Sequence, residues 1–172
     1  SLGADRLTTR LELEKLLLYK HGDTEITSDD IEAVIADASA LNLDAALNAA
    51  FSGRLDLVDE TVAQALAAGN DAGMLIGMAS RYAVMLHRAR LDVERGVPRE
   101  TALEKATRKA FMFPRKEILA AQFDRWSAAA LARAIEILGA ALSDTRKDAR
   151  LAEPIAIRAF WTLANAARRA RS

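Results

Sequence analysis

Phe111 to Trp126, FMFPRKEILAAQFDRW, gathers aromatics, a proline and a basic pair into one short stretch of an alanine-rich chain with few aromatics. Pro114 suits the first turn of a helix, where no backbone N–H is needed. From there Ile118, Leu119, Gln122, Phe123 and Trp126 fall on one side at helical spacing, with Glu117, Asp124 and Arg125 on the other. Phe111 and Phe113 precede the proline in a short connector and need cover from helices elsewhere. Arg115 and Lys116 stand at the helix start, where the helix dipole favours acids. An acidic partner, on this chain or another, is expected to compensate them.

Downstream, Ser127 is placed to cap a helix with Leu131, Ile135, Leu138 and Leu142 on one face. Its other side, Ala130, Ala134, Ile137 and Ala141, is small enough for close helix contact. A polar loop, SDTRKDAR, comes next and ends at Leu151. The last helix, about 154–170, is expected to bury Ile155, Ala159, Leu163 and Ala166, leaving Ile157 and Trp161 pointing elsewhere. Upstream, Pro98 opens a shorter helix to about Lys109. Gly53, Gly69 and Gly96 stand where the residue just past a helix end stands, and delimit helices at about 43–52, 55–68 and 72–95. The last of these carries one stripe of Met74, Leu75, Met78, Tyr82, Met85, Leu86, Ala89 and Val93. A narrower second stripe holds Ile76, Val84 and Leu91. A helix apolar on two sides needs two neighbours.

Further back, Thr9 and Glu12 form a capping box for a helix over about 9–20, with Leu13, Leu16 and Leu17 on its apolar side and Gly22 as its stop. Thr27 is the expected N-cap of a short helix bearing Ile31, Val34, Ile35 and Ala38. No strand pattern occurs. The expected fold is all-α, a small N-terminal helical piece over 1–38 and then a bundle of six or seven helices over 39–172.

The 172 residues suffice for a real core, and 51% hydrophobic with 28% charged residues describes a globular protein. With no cysteine there is no thiolate nucleophile, disulfide or cysteine-ligated metal, which fits a reducing compartment. Formal net charge of +0 gives no global field toward nucleic acid or anionic lipid, so such contacts need a local patch. No apolar run approaches the roughly 18 residues of a membrane span, and no signal peptide precedes the first helix. A cytoplasmic location without membrane partners is expected. The chain begins at Ser1 and meets a helix almost at once, as an excised piece of a longer protein would.

Enzyme signatures are missing from the sequence. The eight glycines are scattered as helix stops, and no phosphate-wrapping GxxxxGK[ST] run exists. The two histidines, His21 and His87, lie far apart, so no metal-binding pair is expected on one helix turn. His21 reads as a helix C-terminal or solvated residue and His87 as solvated. Glu12 with Glu14, and Asp29 with Asp30, read as helix stabilisers, not catalytic pairs. Met74, Met78 and Met85 read as core filling. Neither cofactor nor metal is expected, and the residues argue for a binding or assembly module.

Three features speak to partners. Ile157 and Trp161 form an apolar strip compatible with a partner contact or with burial under a neighbouring helix. The stripe of Ile76, Val84 and Leu91 leaves the same choice open. The third feature is positive charge beside aromatics: Arg108, Lys109, Phe111, Phe113, Arg115 and Lys116, with Arg146, Lys147 and Arg150 in the late loop. Stacking on aromatics with cations on phosphate is how single strands are held without sequence preference. A solvated charged surface over buried phenylalanines would present the same residues. Arg168, Arg169 and Arg171 read as a solvated tail.

In the order of its segments the chain resembles the C-terminal part of the delta subunit of bacterial DNA polymerase III, the clamp-loader subunit that opens the sliding clamp. LGADR, LELEKLLLYKHG and ITSDDIEAVIADAS are similar to the helical lid that comes after the core of that AAA+-like family. AAFSGRLDLVDETVAQALAAG and the helix through SRYAVMLHRAR look like its collar, and FMFPRKE…QFDRWS like its aromatic-then-basic connector. The resemblance implies part of an AAA+ lid plus the collar that joins clamp-loader subunits into a ring. The implied partners are tau/gamma- and delta-prime-type subunits, with the sliding clamp reached only through an N-terminal domain this chain lacks. It implies no ATP binding or hydrolysis in this piece, and contact with primed DNA that is weak or made through the complex, Phe111 or Phe113 being the nearest matches. Two alternatives stand beside it, a helical adaptor unrelated to replication and a single-strand nucleic-acid-binding module.

Overall fold

The computed structural model describes residues 28–108 and 116–170, with side chains from residue 39 onward. The expected helix over 9–20 with its Thr9–Glu12 box, the Thr27 cap, His21, Pro114 and the connector residues Phe111, Phe113 and Arg115 lie outside the described residues. Among the described residues the fold is all-α, without strands. Its helices are α1 (Ser28–Phe51), α2 (Leu55–Ala67), α3 (Ala72–Glu94), α4 (Arg99–Arg108), α5 (Lys116–Arg125), α6 (Ala128–Lys147) and α7 (Ala152–Arg169). A 3-10 turn at Ala149–Leu151 separates α6 from α7. The chain divides into two compact units, Ser1–Leu41 and Asn42–Ser172.

α1 replaces the two helices expected over 31–38 and 43–52. Ser39, Ala40, Leu41 and Asn42 include neither glycine nor proline, so nothing between the two segments stops the helix. The stops foreseen at Gly53, Gly69 and Gly96 do occur, with φ of 72°, 85° and 92°. At Gly96 the N–H bonds Val93 O at 2.9 Å, and the adjoining Val97 N–H reaches back to Asp92 O at 3.0 Å. These two bonds satisfy carbonyls the helix end would otherwise orphan, and only a left-handed residue closes the loop. The Pro98 carbonyl accepts from Ala102 N at 3.0 Å, opening α4 as expected, and Ser127 caps α6 by accepting from Ala130 N at 3.2 Å.

α3 and α6 form the most extensive helix pair, and α7 packs on α2, α3 and α6. α3 turns Leu75, Ile76, Ala79, Tyr82, Ala83 and Leu86 inward. α6 answers with Leu131, Ala134, Leu138, Ala141 and Thr145. Alanines on both sides let the two backbones approach. Ile137, expected on the close-contact side, is instead 36% exposed, because the inward stripe is set by where α3 lies. The SDTRKDAR segment is not a loop, for α6 runs through it to Lys147. Thr145 is buried and its hydroxyl bonds Leu142 O at 2.9 Å, while Arg146 and Lys147 occupy the last turn, where the helix dipole favours cations.

α7 buries Ala156, Ala159, Phe160, Leu163, Ala164 and Ala167. Ile155 and Ala166, expected on that face, are half-buried. Phe160, the largest apolar side chain fully enclosed on this helix, sets its rotation.

α5 follows its reading at most positions, but Ile118 and Arg125 are both half-buried, and Arg125 donates to Ala167 O at 3.4 Å. Leu119, Gln122 and Phe123 are buried, Glu117 and Asp124 are exposed, and Trp126 just beyond the helix is 0% exposed. The Trp126 indole donates to Phe51 O at 2.9 Å and its ring lies 5.7 Å from that of Phe51. Phe51 in turn meets the Tyr82 ring edge-on at 4.8 Å. Tyr82 donates to Gln122 Oε1, and Gln122 Nε2 donates to Ser52 Oγ at 2.9 Å and Asn48 Oδ1 at 3.3 Å. These bonds join α1, α3 and α5 and leave no described buried side-chain polar atom unpaired. The Tyr82 hydroxyl has its pKa raised, first by burial and then by the nearby charge of Asp44.

Candidate functional site: a cation-rimmed groove

The flank of α3 turned away from the core shares a groove of about 630 Å³ with α4. Val84, Met85 and Leu91 from α3 and Ala106 from α4 give it an apolar floor, and Ala102, almost fully buried, brings the two helices together. Lys105 of α4 reaches Asp92 of α3 at 3.0 Å. Along the rim stand Arg81, Arg88 and Arg95, all exposed. They recur every seven residues, so they lie in one row, successive Cα atoms about 10.5 Å apart along the axis. Among the described residues none of the three makes a side-chain hydrogen bond or ion pair.

Other arginines hold the groove's walls in place. Arg90 donates to Trp126 O at 2.7 Å and lies 4.5 Å above the Phe123 ring. Arg99, at the start of α4, grips Asp124 with two bonds of 2.9 and 2.6 Å. That bond to the carboxylate raises the guanidinium pKa further. Both arginines therefore tie the groove-forming helices to α5, whose apolar face is locked into the core around Trp126.

The residues singled out from sequence are spread over several helices. Ile76 is fully buried beside Leu75 and Ala79 on the core face of α3, so it belongs to the main stripe and not to a second one. Val84 and Leu91 are half-buried and line the groove. Met74 is 44% exposed, whereas Met78 and Met85 pack partly buried against the core. Ile157 and Trp161 are half-buried against the core, and the Trp161 indole donates to the Asp59 carboxylate of α2. Lys116 is exposed at the start of α5. Arg146 and Lys147 end α6, where Lys147 pairs with Asp144 at 2.8 Å, and Arg150 pairs with Asp148 at 3.0 Å. These bonds hold the Asp144 and Asp148 carboxyls below the usual carboxylate range. Much of the late basic cluster is therefore neutralised by its own neighbours.

The arginine row is hard to see in the sequence because α3 reads first as an apolar helix. Tracing charge at a spacing of seven through RYAVMLHRARLDVER finds it. Among the described residues no three His, Cys, Asp or Glu side chains gather to hold a metal, and no single helix is long and apolar enough to cross a membrane. Comparison with protein-family models, with curated proteins and with solved structures finds no match for the chain.

Proposed function

We propose that this chain is a non-catalytic assembly module, held by partner proteins along its helix faces. The observation that carries the reading is the α3–α4 groove, an apolar floor beside a row of arginines with no internal partner among the described residues. The resemblance of the chain's segments to a clamp-loader lid and collar supplies a setting. We propose the lid remnant and collar of a bacterial DNA polymerase III delta subunit, acting in the cytoplasm and joining tau/gamma- and delta-prime-type subunits into the ring that loads the sliding clamp. The clamp would be met through a separate N-terminal domain, and primed DNA through the assembled complex. The local pairing of Lys147 and Arg150 weighs against a free-standing single-strand-binding role.

The test is co-elution. Full-length protein containing this region, mixed with the ATPase subunits of its own organism's clamp loader, is expected to migrate with them on size exclusion. A folded protein that never associates with them would remove the clamp-loader setting.

A further inference from the structure

We infer that the α3–α4 groove receives an acidic amphipathic helix from a partner protein. The inference rests on the assembly reading but not on the clamp-loader setting. Along α3 and its C-cap, Arg81, Val84, Arg88, Leu91 and Arg95 succeed one another at alternating spacings of three and four. This is the spacing of a helix-receiving seam, cationic in one column and apolar in the other. A helix laid alongside at a shallow angle repeats its own side chains with the same rise, about 10.5 Å per heptad. Carboxylates at heptad spacing on that helix meet successive guanidiniums, while its apolar residues settle onto Val84, Leu91 and Ala106.

Charge selects the occupant. Arg81, Arg88 and Arg95 form no ion pair among the described residues, and the groove's own carboxylate, Asp92, is engaged by Lys105. A neutral or basic helix would leave three cations facing it unpaired. Single-stranded nucleic acid fits less well, because among the described residues no aromatic ring lines the groove on which a base could stack.

The probe is a synthetic helical peptide of about three heptads with Leu at the seam positions and Glu beside them, labelled for fluorescence anisotropy against the full chain. A matched peptide with Lys in place of Glu, and a single-stranded oligo-dT of about twenty nucleotides, are the comparisons. The Glu peptide is expected to bind, more weakly as salt rises, and the Lys peptide not at all. Arg81→Glu, Arg88→Glu and Arg95→Glu are each expected to weaken binding about fivefold, and together on the order of a hundredfold. Since the three arginines are exposed, the variants are expected to melt as the parent does. Arg→Gln replacements at the same sites, expected to give intermediate losses, guard against a reversal that disturbs folding. Absent binding of the Glu peptide, equal binding of both peptides, or an unchanged triple variant overturns the inference. Tighter binding of oligo-dT that disappears in the triple variant overturns it in favour of a nucleic-acid groove. Should the peptide bind while the ATPase subunits do not co-elute, the groove stands and the clamp-loader setting falls. Co-elution without peptide binding keeps the clamp-loader setting and removes the acidic helix from the groove.

Discussion

Trp126→Ala is the substitution to which the packing should be most sensitive. The side chain is 0% exposed, wedged beside Phe51, and its indole supplies the donor for Phe51 O at 2.9 Å. Deleting so large an enclosed ring costs about 3–5 kcal/mol in lost transfer energy and cavity. The Phe51 carbonyl loses a partner, adding roughly 1–3 kcal/mol unless water reaches it. Arg90 keeps its own bond, because it binds the Trp126 backbone oxygen. A total of about 4–8 kcal/mol compares with a whole-domain stability of roughly 5–15 kcal/mol, so the variant should stand at the edge of folding. Trp126→Phe keeps most of the apolar bulk and loses the N–H, and should cost about 1–3 kcal/mol. Urea melts monitored by far-ultraviolet circular dichroism, with the m-value held as a check on two-state behaviour, measure both. A Trp126→Ala stability within about 1 kcal/mol of the parent would refute the reasoning, since losses from an enclosed ring exceed that. A Phe variant as damaged as the Ala variant would show that the donor, not the volume, dominates.

Other outcomes rest on the same geometry. The buried Tyr82 hydroxyl has a raised pKa, so its contribution is present below the unfolded value of about 10 and lost as pH climbs above it, where the unfolded chain releases a proton the folded one retains. Thermal midpoints should therefore fall above about pH 10, less steeply in Tyr82→Phe, which near neutrality should cost about 1–3 kcal/mol by orphaning Gln122 Oε1. Gly139 lies inside α6 with nothing within 4 Å of an added Cβ, and Gly139→Ala should raise stability by about 0.5–1 kcal/mol. Gly53→Ala should instead lower the melting point, for its φ is 72° and the new Cβ would stand 3.0 Å from Arg168 Cγ and 3.2 Å from Arg168 N. Equal responses of the two glycines in thermal melts would contradict the assigned backbone.

Much of the helical outline is readable from local chemistry alone. Gly53, Gly69 and Gly96 stop helices because a residue past the last turn needs positive φ, Ser127 starts one by accepting a backbone N–H, and Leu119, Gln122, Phe123 and Trp126 sit on one side by spacing. Each of these effects is decided within a few residues, so the chain carries them wherever it is placed. The choice of inward face is different. Ile76 and Ile137 are equally apolar, yet one is sealed and the other exposed, because α3 and α6 each turn toward a neighbour distant in sequence. Phe160 orients α7 for the same reason, and SDTRKDAR stays helical as far as Lys147 because Thr145 finds cover on α3's side of α6. The arginines at 81, 88 and 95 share a helix face by spacing alone. That they rim a groove, rather than an open surface, is decided only when α4 packs beside α3 through buried Ala102, with the Lys105–Asp92 and Arg99–Asp124 ion pairs adding to that contact.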